Sequence, residues 1–166
     1  YIRLRGIDQS RINLTLDGIP LNHPEDQVLY FADFPDLANS LSSVQVQRGV
    51  GTSAPGTASY GGSINFQTPP LSAERQMESQ LQYGALGSRR GSAEYTSGLM
   101  PSGFAISTRA SAMRSQGFRD HSGTTGASAF VCGAWVGAKD VVKFTALTGR
   151  FTDTLAYFGS TTAELQ

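Results

Sequence analysis

The chain has 166 residues, of which 13 are basic and 13 acidic, and only 16% are charged. The balanced charge gives no electrostatic footprint for nucleic acid, and a single cysteine, Cys132, excludes an internal disulfide and any multi-cysteine metal centre. No uncharged run is apolar enough for a membrane helix, since the best candidate, residues 122–138, is full of Gly, Ser and Thr.

In chain order, Ile12, Leu14 and Leu16 alternate with Asn13 and Thr15 and run into Asp17-Gly18, a strand followed by a turn. Ile19-Pro20-Leu21-Asn22 then leads away from it. Residues 30–41, YFADFPDLANSL, read as one or two short helical turns, broken or started by Pro35. Two short strands follow: Val44 and Val46 alternate with Gln45 and Gln47, and Ile64 and Phe66 alternate with Ser63, Asn65 and Gln67. Between them Arg48-Gly49 opens a loop containing Gly51, Pro55, Gly56, Gly61 and Gly62. That composition supplies positive φ and close backbone approach and cannot hold a helix.

At Pro69-Pro70 the character changes, because neither proline can donate to a sheet ladder. Five longer alternating segments follow, each about the ten residues a tilted β-strand needs to cross a bilayer. From 75 to 85, Met77, Leu81, Tyr83 and Ala85 share one face and Gln76, Glu78, Gln80 and Gln82 the other. After a turn at Gly87-Ser88, Ala93 and Tyr95 face outward and Arg90, Ser92 and Glu94 inward. In the third, Phe104, Ile106, Ala110 and Ala112 oppose Ser107, Arg109 and Ser111; Arg109 must face inward, because arginine against lipid near the midplane costs about 2–4 kcal/mol. The fourth, 125–136, is apolar or small on both faces, which leaves its facing open. The fifth, 141–151, sets Val142, Phe144, Ala146 and Thr148 against Lys143 and Thr145.

Sharper motifs are outweighed by plainer readings. The 49–54 stretch GVGTSA satisfies a relaxed dinucleotide-binding pattern, but Pro55-Gly56 stands where the helix should begin and no βαβ unit follows. Asn13-Leu14-Thr15 is a glycosylation sequon placed inside a strand. His23, Glu25 and Asp26 lack metal-ligand spacing and read as a solvated loop. No Ser-His-Asp or paired-carboxylate arrangement has sequence support, so neither an enzyme nor a cofactor is expected.

Four motifs in fixed order carry a family resemblance: Arg5-Gly6-Ile7-Asp8, Leu16-Asp17-Gly18-Ile19-Pro20-Leu21-Asn22, Val44-Gln45-Val46-Gln47-Arg48-Gly49 and Tyr60-Gly61-Gly62-Ser63-Ile64-Asn65. In this the chain resembles the plug domain of TonB-dependent outer-membrane receptors. The resemblance implies an α+β plug at 1–70, a small mixed sheet with short helices lacking its N-terminal part and TonB box. The first five or so antiparallel strands of a transmembrane barrel of about 22 strands would follow at 71–166. It also implies TonB-dependent import of a scarce or bulky substrate (siderophore, cobalamin, haem, glycan or peptide) across the bacterial outer membrane. The expected partners are TonB, through a segment not in this sequence, the lipid bilayer and that substrate; the alternative is a soluble or secreted β-rich binding module. Arg5, Gly6, Arg48 and Gly49 are expected to lock the plug to acidic barrel residues, or to gate it by releasing them. Gly51, Thr52, Ser53, Gly56 and Tyr60 are expected to face ligand or the permeation path, the glycines serving either rearrangement or tight packing. With the first barrel strand running outward, 85–89 and 115–124 become extracellular, and Phe118, Arg119, Asp120 and His121 become candidate loop contacts. The turns at 97–103 and 137–140 become periplasmic, with Tyr95, Phe104 and Trp135 near that interface and a third extracellular loop after Phe151.

Overall fold

Two-residue turns organise the N-terminal strands. The computed structural model describes residues 2–49 and 59–154. Gly51, Thr52, Ser53 and Gly56, and most of the expected third loop, lie outside them. Strands β1 (Arg3–Leu4) and β2 (Ile7–Asp8) pair across Arg5-Gly6, whose φ values of 51° and 81° are those of a type I′ hairpin turn. Asp8 then accepts the Ser10 N–H (3.1 Å) and caps a 3₁₀ turn at Gln9–Arg11. β3 (Ile12–Leu16) reaches Asp17-Gly18, with φ of 49° and 85°, and this second I′ turn folds the chain straight back. Ile19–Pro20 therefore forms β4, pairing with Thr15 and Leu16, where the sequence reading had the chain leaving the sheet. Proline is tolerated there because β4 is an edge.

The four-stranded sheet runs β4-β3-β6-β5, with β5 at Ser43–Arg48 and β6 at Gly62–Gln67. β3 and β6 are parallel, and β5 is antiparallel to β6. The alternation buries Ile12, Leu14, Ile64 and Phe66 in one core with Leu29, and Phe34, Leu21 and Leu41 pack against it. Val44 and Val46 share that face but sit half exposed on the edge strand. Asn22 substitutes for a strand beside β3, accepting from Leu14 N–H (2.8 Å) and donating to Ile12 and Gln27 carbonyls (3.0 and 2.9 Å). Residues 30–41 form two 3₁₀ turns, Phe31–Asp33 and Leu37–Ser40, separated by Pro35 as the sequence implied. Gly61 and Gly62 serve close packing, since a Cβ on Gly61 would sit 2.7 Å from the Arg11 carbonyl oxygen.

The five-stranded sheet is an antiparallel wall with its strands in chain order: β7 (Gln76–Tyr83), β8 (Arg89–Thr96), β9 (Phe104–Ser115), β10 (Thr124–Val136) and β11 (Val141–Asp153). Its register reproduces the inward and outward faces read from the alternation and settles β10. Phe130, Cys132 and Ala134 pair with Arg109, Ser107 and Ala105 on the plug side, whereas Ala129, Val131 and Trp135 face away. Phe104 and Trp135 are direct register partners, and Tyr95 stands opposite Thr108 with the Arg75 guanidinium 5.4 Å from its ring centroid. Among the described residues no helix is long and apolar enough to cross a membrane, which says nothing of strands.

Candidate functional site

The plug meets the wall on a shelf of small side chains. At one register level β8 to β11 present Ser92, Ser111, Ser128 and Gly149, and the Ser111 and Ser128 hydroxyls hydrogen-bond at 2.8 Å. The adjoining levels carry bulk and charge: Arg90 and Met113 on one side, Glu94, Arg109 and Phe130 on the other. The 31–40 segment of the plug lies against this shelf. Pro35 occupies the space a side chain at Gly149 would need, since a Cβ there would collide with its Cγ and stand 3.1 Å from the Ala127 carbonyl oxygen.

Pro35 delivers Asp36 between two arginines. Asp36 adopts φ 62° at the head of the Leu37–Ser40 turn, a left-handed conformation that aspartate tolerates better than most residues. One Arg90 terminal nitrogen donates to both carboxylate oxygens at 2.7 and 2.8 Å, and Asn39 donates to Oδ1 at 2.7 Å. Arg109 Nε stands 3.6 Å from Oδ2, while its terminal nitrogens reach Glu94 (3.0 Å) and the Ser92 hydroxyl (3.1 Å). Asp36 and Arg109 are 3% and 9% exposed at the side chain. Two cations and two anions thus neutralise one another, with Asp36 and both arginines largely out of water and Glu94 partly exposed, and pairing is the condition under which buried charge is tolerated. Burial, the largest influence, pushes the Asp36 carboxyl up; the Arg90 hydrogen bond, with those of Ser111 and Asn39 and the Arg90 charge, outweighs it and holds the group below the usual carboxylate range. Among the described residues both arginine Nε atoms are buried without a hydrogen-bond partner, so within them the cluster is incompletely satisfied.

The plug is tied a second time where it leaves for the wall. Asp17, fixed by the β3–β4 turn, accepts from Thr68 N–H (3.0 Å) and its hydroxyl (2.7 Å). Pro69-Pro70 then starts the crossing, beside a cavity of about 550 Å³ that borders Asp17, Thr68, Cys132, Lys143 and Phe144.

The sites expected from sequence lie elsewhere. Arg5-Gly6 forms the tip of the β1–β2 turn and Arg48-Gly49 the end of β5, both arginines being exposed without an acidic partner among the described residues. Tyr60 is 57% exposed, 5.9 Å from the Arg11 guanidinium. Phe118, Arg119, Asp120 and His121 share one exposed turn, joined to the 84–88 turn through Gln116 N–H and the Leu86 carbonyl (3.0 Å). His23 Nδ1 is 3.7 Å from Asp26 Oδ1 in a surface pair. Sequence reading missed Asp36 and Gly149, although it had placed Arg90, Glu94 and Arg109 inward. Two inward arginines on neighbouring strands ask for a carboxylate opposite, and an aspartate after a proline in the segment between the plug strands was the available one.

Residues 1–63 match the TonB-dependent Receptor Plug Domain family. No curated protein matches the chain significantly. Among solved structures, it is similar to the pyoverdine outer-membrane receptor FpvA of Pseudomonas aeruginosa bound to pyoverdine, at 17% identity and TM-score 0.61 over 84% of this chain and 20% of the receptor. It is similar to the ferric citrate transporter FecA in its unliganded form, at 20% identity and TM-score 0.58 over 89% and 23%. The FpvAI–pyocin S2 complex gives 19% identity and TM-score 0.64 over 82% and 19%. The chain thus spans about a fifth of the length of these receptors. Residues 1–63 thus match the TonB-dependent receptor plug family model, and the chain as a whole has the fold of a plug followed by the wall strands of a plugged barrel.

Proposed function

We propose that this chain is the plug (1–70) and first wall strands (71–166) of a bacterial outer-membrane importer that TonB energises to admit a scarce or bulky substrate. The carrying observation is the seating of the family-matched plug on the wall through Asp36, Arg90 and Arg109. Such a seat closes a pore at rest, and its polar contacts can be remade when the plug is pulled. The wall supports a membrane setting. Between the Phe104–Trp135 pair and the Arg114–Thr125 pair, the outward positions of β9 and β10 are Ile106, Thr108, Ala110, Ala112, Ala127, Ala129, Val131 and Gly133, with no charge. A charged residue there would cost about 2–4 kcal/mol at the midplane.

Among the substrate classes, a ferric chelate stands first, because the similar receptors are those of pyoverdine and ferric citrate. Phe118, Arg119, Asp120 and His121, with Gly51, Thr52, Ser53, Gly56 and Tyr60, are the proposed ligand-facing residues. Arg5 and Arg48 are proposed as further locking or gating contacts to wall segments other than those described. Such import moves a substrate without making or breaking its bonds and calls for no cofactor.

Fractionation of cells expressing the full-length protein tests the setting. Recovery in the outer membrane, resistant to high-salt and carbonate extraction, is expected; recovery in the soluble periplasmic fraction would mean a binding module instead.

A further inference from the structure

The outward faces of β7 to β11 carry three charged residues, and all three are arginines at one end of the wall. Arg89 stands directly opposite Arg114, and Arg150, opposite Ala127, lies one outward position lower on β11. All three are exposed, and none has an ion-pair partner among the described residues. Like charges placed opposite each other on neighbouring strands repel, so this arrangement is unfavourable until an anion joins it. Immediately beside them on the same face runs a groove of about 560 Å³, bordered by Leu81, Tyr83, Gly91, Ala112 and Ala127. Small residues floor it, and the leucine and tyrosine form its side.

The height of these arginines fits a membrane interface. Phe104 and Arg114 open and nearly close β9 on its outward face. Ten residues at about 3.4 Å each, tilted about 40°, rise roughly 25 Å, the height of the apolar band on outer-membrane barrels. The aromatic pair and the arginines therefore mark opposite edges of that band, with the guanidinium groups at headgroup level and the groove just inside it.

We infer that Arg89, Arg114 and Arg150 bind the phosphate of a phosphorylated, acylated lipid of the outer leaflet, one of whose acyl chains lies in the adjoining groove. Guanidinium groups suit phosphate because their planar donors match its oxygens, and the apolar groove favours a lipid over a bare anion. The inference rests on the outer-membrane reading above.

Native mass spectrometry of the full-length receptor in detergent tests it, with diphosphorylated hexa-acyl lipid A as probe. Wild type is expected to bind at least tenfold more tightly than the Arg89→Gln/Arg114→Gln/Arg150→Gln variant. The corresponding triple Lys variant should keep most of the binding, and dephosphorylated lipid A should bind wild type as weakly as lipid A binds the Gln variant. Heat-modifiable gel mobility reports folding of each variant, and Arg114→Gln alone, expected to lose several-fold, replaces the triple variant if that fails to fold. Equal binding by wild type and a folded Gln variant would overturn the site, as would displacement of the lipid by equimolar inorganic phosphate. A receptor that fractionates with the outer membrane yet shows such equality loses this lipid site alone, whereas soluble recovery removes the transport reading itself.

Discussion

At the scale of single residues, the plug's seat depends on Asp36. Replacing it with Asn keeps the shape and removes the charge that faces Arg90 and Arg109, leaving two buried cations opposed only by Glu94. Loss of one partner from a buried pair costs about 3–5 kcal/mol. Urea titration of the full-length receptor, followed by a fluorophore on the plug, should show Asp36→Asn releasing the plug at lower urea, while the barrel transition stays where it was. The pH dependence has a definite sign. Because the folded-state carboxyl is held below its ordinary value, its contribution is complete above about pH 4 and is lost as pH falls further, through the depressed folded value. The wild-type plug should thus loosen on acidification below pH 4, and the Asn variant should show a flatter dependence there; identical profiles would exclude Asp36 as the titrating group. Gly149 is the steric counterpart. Gly149→Leu should displace Pro35 and lower plug retention by about 1–3 kcal/mol in the same titration, as overpacking does elsewhere.

At the scale of elements, the strands were legible because one face of each has a uniform environment. Alternation alone placed β7, β8, β9 and β11, and fixed Arg109 inward. It failed on β10 because the plug side of that strand is itself apolar, with Phe130, Cys132 and Ala134 buried, so the two faces carry the same signal. The β3–β4 hairpin was missed for a local reason: Asp17-Gly18 was read as a turn, yet Pro20 concealed the two-residue edge strand after it. The seat was out of reach of periodicity, since the 31–40 segment has neither a helical nor a strand repeat and its partners lie more than fifty positions away in sequence, as Asp36 and Arg90 do. The Arg-Gly motifs were legible only through resemblance. Described as exposed turn and strand-end residues, Arg5 and Arg48 hold no acid among the described residues. If Arg48 locks or gates through another wall segment, Arg48→Ala in the full-length receptor will change substrate uptake or plug retention; unchanged values of both would assign it to solvation.

At the scale of the whole molecule, two sheets divide the labour. The small mixed sheet keeps its own apolar core around Leu14, Ile64 and Phe66, while β7 to β9 of the wall turn mostly polar side chains inward and the wall's outward face is uncharged along most of its height. A plug with an independent core can shift without unfolding the wall, and, the Pro35–Gly149 packing aside, its contacts with the wall include hydrogen bonds and ion pairs that can exchange for others. That division suits the proposed energy-coupled import. The most direct test is uptake of a radiolabelled ferric chelate by cells expressing the full-length receptor, with TonB present and with TonB deleted, using a panel of chelates. Accumulation of at least one chelate is expected only when both receptor and TonB are present. Equal accumulation with and without TonB, in cells whose uptake depends on the receptor, would contradict it.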